Sequence, residues 1–387
     1  NGVTVDGLNI KDSKLVTANS VVEANITNGA VTSGKIASGV VPTLRPNAKP
    51  LVVNSNMAIA QRNSGTVAQS DGSNEGYATV DRMNLVFGNS AGGTITTSRD
   101  NTAPTGFGQS MKFDVTSADG SVASNQIVYM KTTLEAQDIR NSGWNYTSSS
   151  SYLTLSFWVR SSKTGIYCAF LETLDASYMR SSEYTISSAD TWEQKVLTFP
   201  GKTELVFNND NGAGLNIGFT FAVGTDRDGT NNTWETTNYG TSNQVNFLDS
   251  TSNVLYLTGI QLEVGEFSST NLPPFQHESY GDNLLRCQRY YQLVQNWSGG
   301  VVNSSTAYIN ATFWKTMRTT PSVTTTGALN GNDIANNVNQ SSGQVTLHGA
   351  NENGFWGGVG NWSSLTTNNP FNSRFQNTNK LAFSSEL

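Results

Sequence analysis

The fold of this chain is decided by residues 255–292, which read LYLTGIQLEVGEFSSTNLPPFQHESYGDNLLRCQRYYQ. The first half of this stretch alternates between two faces, as a β-strand does. One face carries Leu255, Leu257, Gly259, Gln261 and Glu263, and the other carries Tyr256, Thr258, Ile260, Leu262 and Val264. Because one face is mostly aliphatic and aromatic, the pattern predicts a strand that packs in a β-sandwich.

Two prolines end this strand. Pro273 and Pro274 each lack an N–H and disfavour helix in the preceding residue, so the ladder cannot continue through them. After a polar turn, Asn283 is predicted to cap a short helix. Four residues are predicted to share one face of this helix: Leu284, Leu285, Cys287 and Tyr291.

The same stretch resembles a known family. LYLTGIQLEVGE, PFQHESYGD and LLRCQRYYQ are similar to the segment that closes the jelly-roll module of many phage tail fibres, especially those of phages of marine bacteria. Four earlier segments resemble other parts of that module: NSNMAIAQRNSG at 54–65, YATVDR at 77–82, LTLSFWVRSSKTG at 153–165 and TWEQKVLTFPG at 191–201. The resemblance covers roughly residues 48–292 and implies a jelly-roll domain like a carbohydrate-binding module.

The composition excludes several function classes. Only 13% of the 387 residues are charged, and the formal net charge is -6. Nucleic-acid binding needs clustered Lys and Arg to displace counterions, and no basic run occurs. No apolar stretch approaches the roughly 20 residues that cross a bilayer, and no signal peptide opens the chain. A β-rich protein that binds no nucleic acid and inserts into no membrane is expected.

Residues 1–47 carry a short internal repeat. Aliphatic residues recur every five positions, at Val16, Val21, Ile26, Val31, Ile36 and Val41. This period fits neither one helix face nor a simple strand, and a single chain of this kind would bury almost nothing. Three copies wound together would pool these side chains in a thin core, which predicts a repetitive trimeric stalk. A disordered linker is the alternative.

A mainly β domain is predicted to follow at residues 48–292. Pro42, Pro46 and Pro50 indicate a stiff, extended connector at 43–50. The domain is predicted to be an antiparallel β-sandwich with Greek-key or jelly-roll connections. Its predicted strands lie at 111–115, 126–134, 153–159, 166–174, 193–199, 215–223 and 254–264.

Residues 293–387 are predicted to form a small β-rich C-terminal tip. Short strands are expected at 307–313, 322–326, 344–347 and 381–383. MRTTPSVTTTG at 317–327 resembles a segment that often follows the CQRYY helix in fibre proteins. Aromatic residues of the tip lie among Gly and Asn, as in NENGFWGGVGNWSS at 351–364.

The candidate ligand-binding residues combine aromatic rings with amides. Sugar rings stack their C–H patches on aromatic faces, and their hydroxyls pair with amide groups. The candidates are Trp356, Trp362, Asn351, Asn353 and Asn361 in the tip, and Trp234 and Tyr239 in a loop of the sandwich. For the two tip tryptophans, packing in the core of the tip or in a trimer interface is the alternative.

No catalytic residue is predicted. Glycoside hydrolysis needs two acids at a fixed separation, one of them with a raised pKa. Glu172 with Asp175, and Glu183 with Glu193, are available pairs, but neither forms a motif. No nucleophile-elbow sequence accompanies the two histidines.

No cofactor is expected, and a structural calcium ion is the alternative. The loops at 208–212 and 226–231 alternate Asn or Asp with Gly, as calcium loops do, but they lack the terminal acid of an EF-hand. Cys168 and Cys287 share no metal-binding spacing with each other or with the histidines. Reduced thiols are expected, with Cys168 as a small buried side chain.

The resemblance to tail-fibre modules implies that this chain is the distal part of a phage tail fibre in the virion. The predicted function is recognition of, and adhesion to, a host cell-surface glycan such as lipopolysaccharide or capsule. The expected partners are two further copies of the chain, the host glycan, and other tail proteins joined through the N-terminal side. The alternatives are a polysaccharide-degrading glycosidase of the tailspike type and a structural spacer that binds no cells.

Overall fold

A computed structural model describes residues 49–334, 336–341, 345–373 and 380–387. The predicted stalk at 1–47 and nearly all of the connector at 43–50 lie outside these residues. The fold class is confirmed for the described chain, since strands and turns dominate it. In these ranges no helix is long and apolar enough to cross a membrane.

The first part of the described chain contains eleven strands, two short α-helices and a 3-10 helix at Phe247–Asp249. The strands are β1 (Thr66–Gln69), β2 (Asn84–Gly88), β3 (Thr94–Asp100), β4 (Ser110–Ser117), β5 (Ile127–Glu135), β6 (Tyr152–Ser161), β7 (Gly165–Thr173), β8 (Tyr178–Ile186), β9 (Glu193–Pro200), β10 (Ala213–Val223) and β11 (Val254–Val264). Helix α1 (Ala136–Arg140) follows β5, and helix α2 (Tyr280–Cys287) follows β11.

These strands form two antiparallel sheets packed face to face. One sheet has the order β1-β3-β4-β11-β6-β9, and the other has the order β2-β5-β10-β7-β8. The chain crosses repeatedly between the two sheets, as in a jelly roll. Aromatic rings join them: Phe157 of β6 lies 4.8 Å from Phe219 of β10, between ring centroids. Burial of such rings contributes most of the stability of a sandwich core.

Strand β11 is confirmed, but its predicted alternation is wrong. Gly259 has a φ of +64°, a left-handed conformation that favours glycine. The pairing of β11 with β6 shifts between Thr258 and Gln261, which marks a β-bulge. The bulge exchanges the two faces of the strand. The core side chains are therefore Leu255, Leu257, Ile260 and Leu262.

The helix after β11 also differs from its prediction. Its N-cap is Ser279, whose hydroxyl accepts a hydrogen bond from the backbone N–H of Asp282 at 3.1 Å. Asn283 lies inside the helix and is buried. Leu285 is 46% exposed and Tyr291 lies beyond the helix, so the predicted apolar face is wrong for these two residues. Leu284 and Cys287 do share an apolar cluster, which also contains Val53 and Ile59.

The tip contains ten short strands within the described residues. They are β12 (Tyr291–Val294), β13 (Ser298–Asn303), β14 (Thr306–Thr312), β15 (Ser322–Thr325), β16 (Asn330–Asp333), β17 (Asn336–Asn339), β18 (Val345–Asn351), β19 (Gly354–Val359), β20 (Pro370–Ser373) and β21 (Leu381–Ser384). A seven-stranded sheet has the order β17-β16-β20-β13-β14-β19-β18. A three-stranded sheet has the order β12-β21-β15.

The last residues of the chain join the tip to the sandwich. The Glu386 carboxylate pairs with Arg62 at 3.1 Å and with the fully buried Arg82. The Arg82 guanidinium also lies 3.6 Å from the ring centroid of Tyr290. Burial alone would lower the pKa of Arg82, but the nearby Glu386 carboxylate outweighs it and holds this pKa above its usual value. The cation of Arg82 is therefore held by groups from both parts of the chain.

Candidate functional site

The outer face of the seven-stranded tip sheet carries a group of exposed aromatic side chains. Strand β14 alternates strictly, because Ala307, Ile309 and Ala311 point into the tip core. Tyr308 and Asn310 therefore point outward and are exposed. The neighbouring strand β19 directs Phe355 inward and Trp356 outward. This sheet has one dry face and one face open to solvent.

Three rings on this open face touch one another, and we call them the aromatic platform: Tyr308, His348 and Trp356. The rings of His348 and Trp356 are stacked, with centroids 5.0 Å apart and planes inclined by 16°. Tyr308 lies 4.9 Å from His348 and 6.2 Å from Trp356. Trp356 is 50% exposed and Tyr308 is 42% exposed. The platform offers flat apolar surface to solvent at a fixed position.

Two glycines make room for the platform. A Cβ built on Gly358 would lie 2.9 Å from Nε2 of His348 and 3.4 Å from Cε1 of Tyr308. A Cβ on Gly349 would lie 2.5 Å from Nε1 of Trp356. Both glycines belong to strands of the open face, so the rings lie against bare backbone. Larger side chains at these positions would lift the rings off the sheet.

The structure removes Trp362 from the candidate ligand-binding surface. Its side chain is only 4% exposed and packs against Trp297 and Phe371 in the tip core. Its indole N–H donates to the carbonyl of Val359 at 2.9 Å. Trp362 therefore packs in the core, which was the alternative interpretation, whereas Trp356 is exposed to solvent.

The three candidate asparagines of the tip do not converge on the platform. Asn351 closes the hairpin between β18 and β19, where its Oδ1 accepts hydrogen bonds from the N–H groups of Asn353 and Gly354. The Oδ1 of Asn353 accepts a hydrogen bond from Thr316. Asn361 lies beyond the opposite end of β19, in a turn with a φ of +62°. Asn351 and Asn353 thus shape a turn, and Asn361 lies at the far end of the strand.

The two sandwich candidates, Trp234 and Tyr239, occupy separate positions. Trp234 is half-buried, and its indole N–H donates to the carbonyl of Pro200 at 2.9 Å. Tyr239 packs on Phe170 and lines a cavity of about 240 Å³ with Glu172 and Arg227. Burial raises the pKa of the Tyr239 hydroxyl, and the Glu172 carboxylate raises it further. This cavity is small and polar.

The acidic pairs considered for catalysis are engaged in local hydrogen bonds. Glu172 accepts from the Asn216 amide at 2.6 Å, and Asp175 accepts from the backbone N–H of Asn208 at 2.9 Å. Burial raises the pKa of Glu193, but Lys195 and two backbone N–H groups outweigh it, so this pKa lies below its usual value. Glu193 therefore lacks the raised pKa of a general acid.

In each loop considered for calcium, one carboxylate is hydrogen-bonded within the protein. Oδ1 of Asp210 accepts from the N–H of Gly212 at 2.9 Å, and Oδ2 of Asp226 accepts from Ser124 at 2.7 Å. Among the residues with described positions, no three His, Cys, Asp or Glu side chains come together as a metal site. Cys168 and Cys287 are buried free thiols, and burial raises the pKa of Cys168 to about 11.

Sequence reasoning found Trp356 but missed Tyr308, His348 and Asn310. The signal for two of them was present, because AYINAT at 307–312 alternates small or aliphatic residues with Tyr, Asn and Thr. That alternation predicts one dry and one open face. His348 carried no such signal, since its strand has a register shift between Leu347 and Gly349.

No family model matches the chain, and no curated protein matches it. Among solved structures, it is similar to the enzymatically active domain of tailspike protein 4 from bacteriophage CBA120, with 14% identity over 52% of this chain and a TM-score of 0.26. The match spans only 21% of that tailspike domain.

Two carbohydrate-binding structures are also similar. A family 11 carbohydrate-binding module from Clostridium thermocellum, in complex with a β-1,3-1,4-mixed-linked tetrasaccharide, shows 13% identity over 52% of this chain and 96% of the module, with a TM-score of 0.27. The N-terminal cellulose-binding domain of β-1,4-glucanase C from Cellulomonas fimi shows 12% identity over 57% of this chain and 99% of the domain, with a TM-score of 0.23.

Proposed function

We propose that this chain is the distal part of a phage tail fibre and adheres to a host cell-surface glycan through the tip. The observation that carries the proposal is the aromatic platform: three mutually touching rings, exposed on a sheet face beside outward-pointing amides. The fibre assignment rests on the resemblance of residues 48–292 to the tail-fibre module.

The chemistry of the platform suits a sugar. Pyranose rings present C–H patches that stack on the faces of Trp and Tyr, and their hydroxyls need directional partners. Asn310 is the cross-strand partner of Trp356, so its amide lies beside the indole on the open face. An exposed Trp with a neighbouring amide therefore offers both kinds of contact within one sugar length.

Weak individual sites are sufficient for adhesion by a fibre. We propose a homotrimer that joins other tail proteins through its N-terminal side and acts outside the host cell, at its surface. Three tips on one fibre raise the effective concentration of each site once one has bound, so avidity exceeds single-site affinity by orders of magnitude. The low charge of the chain limits nonspecific attraction to an anionic surface.

The test is adsorption of the fluorescently labelled chain to host cells, with and without periodate oxidation of surface sugars. Periodate-treated cells are expected to lose binding. Trp356→Ala is expected to abolish adsorption without changing the folded state, because half of the side chain is exposed and it lies outside the tip core. Trp314→Ala is the matched control, since Trp314 is 64% exposed but lies beyond the end of β14.

Two results would overturn the proposal. Adsorption that survives periodate would indicate a protein receptor, and adsorption by the Trp356→Ala variant at the level of Trp314→Ala would exclude the platform. A chain that binds no cells at all would be a structural spacer.

We further propose binding without cleavage. The acids considered for catalysis accept hydrogen bonds from neighbouring groups, as Glu172 does from Asn216. Purified protein incubated with host polysaccharide is expected to release no new reducing ends. A spreading halo on a host lawn would instead identify a depolymerase.

A further inference from the structure

The open face of the tip sheet continues beyond the platform as a line of polar side chains. We propose that this line binds a neutral, extended glycan across the strands, with one sugar on the platform and the following sugars on the amides. The inference rests on the proposed glycan-binding function and names the shape and charge of its ligand.

Strand register places these side chains in one row. Trp356 pairs with Asn310, Asn310 with Ser298, and Ser298 with Asn372. Asn372 pairs with Asn332, and Asn332 with Asn337. We call the five residues after Trp356 the polar row: Asn310, Ser298, Asn372, Asn332 and Asn337. The row contributes one side chain from each of five successive strands.

Burial shows that the row lies on the open face. The inward neighbours Ile309, Val301 and Phe371 belong to the tip core. On the same three strands, Asn310, Ser298 and Asn372 point the other way and are exposed. Val338 is buried beside the exposed Asn337, and the Asn332 amide donates to Oδ1 of Asn337 at 3.2 Å. The same face therefore extends from β19 to β17.

The spacing of the row matches a repeating ligand. Adjacent strands lie about 4.8 Å apart, so the five steps from Trp356 to Asn337 span roughly 24 Å. The advance per sugar in an extended, equatorially linked pyranose chain is close to one strand spacing. Each successive hydroxyl or acetamido group would then meet a new amide or hydroxyl of the row.

The charge of the row selects a neutral ligand. Its five members are four Asn and one Ser, which donate and accept hydrogen bonds without carrying charge. None of these five side chains carries a positive charge, which is what pairs with the uronate, sulfate or phosphate group of an anionic sugar. Asn amides suit hydroxyl and acetamido groups, which neutral glycans carry.

The experiment measures binding of the full chain to two series of β-1,4-linked oligosaccharides, built from glucose and from mannose, from one to six sugars; both keep the C2–C3 diol that periodate cleaves. In at least one series, affinity is expected to rise with each added sugar, by about tenfold or more from the disaccharide to the pentasaccharide. Isothermal titration calorimetry provides the dissociation constants.

Substitutions separate the platform from the row. Asn372→Ala is expected to weaken binding of the pentasaccharide and to leave binding of the disaccharide unchanged. Trp356→Ala is expected to abolish both. Asn339→Ala is the matched control, because Asn339 lies on the same strand as Asn337 but pairs with Asn330, outside the row. Its length dependence should equal that of the unsubstituted chain.

Three outcomes would overturn the inference. Equal affinity for the disaccharide and hexasaccharide, equal losses of both ligands on Asn372→Ala, or binding of neither series would each contradict it. Periodate-sensitive cell adsorption that needs Trp356 would still support glycan binding in that case. Loss of that sensitivity would overturn the proposed function itself.

Discussion

At the scale of single residues, two glycines shape the candidate site because they have no side chain. Gly349 and Gly358 lie under the rings of Trp356 and His348, and a Cβ at either position would meet a ring atom at 2.9 Å or less. Contacts this short force a side chain to move. The orientation of the platform is therefore set by the residues beneath it as well as by the rings.

Gly358→Ala tests this orientation. The added methyl is expected to displace the His348 ring and to lower glycan affinity several-fold, while the fold is kept because a flexible side chain yields. Gly300→Ala is the matched control: Gly300 pairs with Tyr308 on the same sheet, and its nearest heavy atom would be 3.9 Å away. Titration of both variants checks the prediction, which equal affinities would contradict.

At the scale of elements, alternation in the sequence predicted strands well where the core decides the pattern. Seven predicted sandwich strands are confirmed as β4, β5, β6, β7, β9, β10 and β11. Strand β3 was missed because it is rich in Thr and Ser, and β8 because Ser181 and Ser182 interrupt its apolar face. A hydropathy pattern does not predict that a serine is buried in a strand, because the serine side chain is polar.

The bulge in β11 shows a second limit of sequence reasoning. A single extra residue exchanges the faces of a strand, so every side chain beyond it is assigned to the wrong side. Gly259 was the available signal, since a glycine within a strand often marks a bulge. Gln261 and Glu263 are consequently buried on the face of β11 that points away from the hydrophobic core. There the Gln261 amide donates a hydrogen bond to the Glu263 carboxylate at 3.0 Å.

Helix α2 is held by a buried amide, which gives a prediction. Oδ1 of Asn283 accepts from the backbone N–H of Asn54 at 3.1 Å, and its Nδ2 donates to Asn56. Asn283→Ala leaves that buried N–H without a partner and is expected to cost about 1–3 kcal/mol of unfolding free energy. Leu285→Ala, at a largely exposed position of the same helix, is the control.

Urea unfolding of both variants measures the difference. A smaller loss for Asn283→Ala than for Leu285→Ala would contradict the assigned role of Asn283. The comparison is informative because both substitutions introduce the same residue into the same helix, where alanine is a strong helix former.

The end of β5 and the residues after α2 are joined by an ion pair that predicts acid sensitivity. Burial raises the pKa of Glu135, but hydrogen bonds from Arg289 and Tyr290 outweigh it and hold this pKa below its usual value of 4.5. The folded state thus binds this proton more weakly than the unfolded state. The stabilisation is present above pH 4.5 and is lost as pH falls through the folded pKa.

The melting temperature should therefore fall between about pH 5 and pH 3, and fall less steeply in Glu135→Gln. Glu75→Gln, an exposed position, is expected to keep the slope of the unsubstituted chain. Equal slopes for all three proteins would show that Glu135 does not set the acid response.

At the scale of the whole molecule, the described chain forms two packed parts tied by its last residues. Arg318 of the tip donates to the carbonyls of Ser385, Glu386 and Asn211. Tyr77 of the sandwich donates to the carbonyl of Leu387 at 2.8 Å. These contacts connect positions between 67 and 310 residues apart in sequence, which is why local patterns did not predict them.

Glu386→Ala is expected to be among the most damaging single substitutions. Removing one partner of a buried ion pair leaves an uncompensated charge, here on Arg82, and costs about 3–5 kcal/mol. The two parts are then expected to melt in separate transitions, whereas the unsubstituted chain is expected to melt in one. Differential scanning calorimetry distinguishes these cases, with Glu204→Gln at an exposed position as the control.

A single transition at an unchanged temperature in Glu386→Ala would show that this pair does not couple the two parts.

The candidate site, like the contacts between the two parts, depends on residues that are distant in sequence. Trp356 was predictable from its polar surroundings in sequence, but its partners Tyr308 and His348 come from other strands, and only the order of the sheet brings them together.

The pairing of β12 with β21 places the entry and exit of the tip side by side, because Val294 is the partner of Leu381. The segment between these two positions contains all seven strands of the larger tip sheet. Recombination at the two flanking strands would therefore replace the whole seven-stranded sheet in one event. On the proposed function, such an exchange would alter the glycan that the tip binds while the sandwich keeps its sequence.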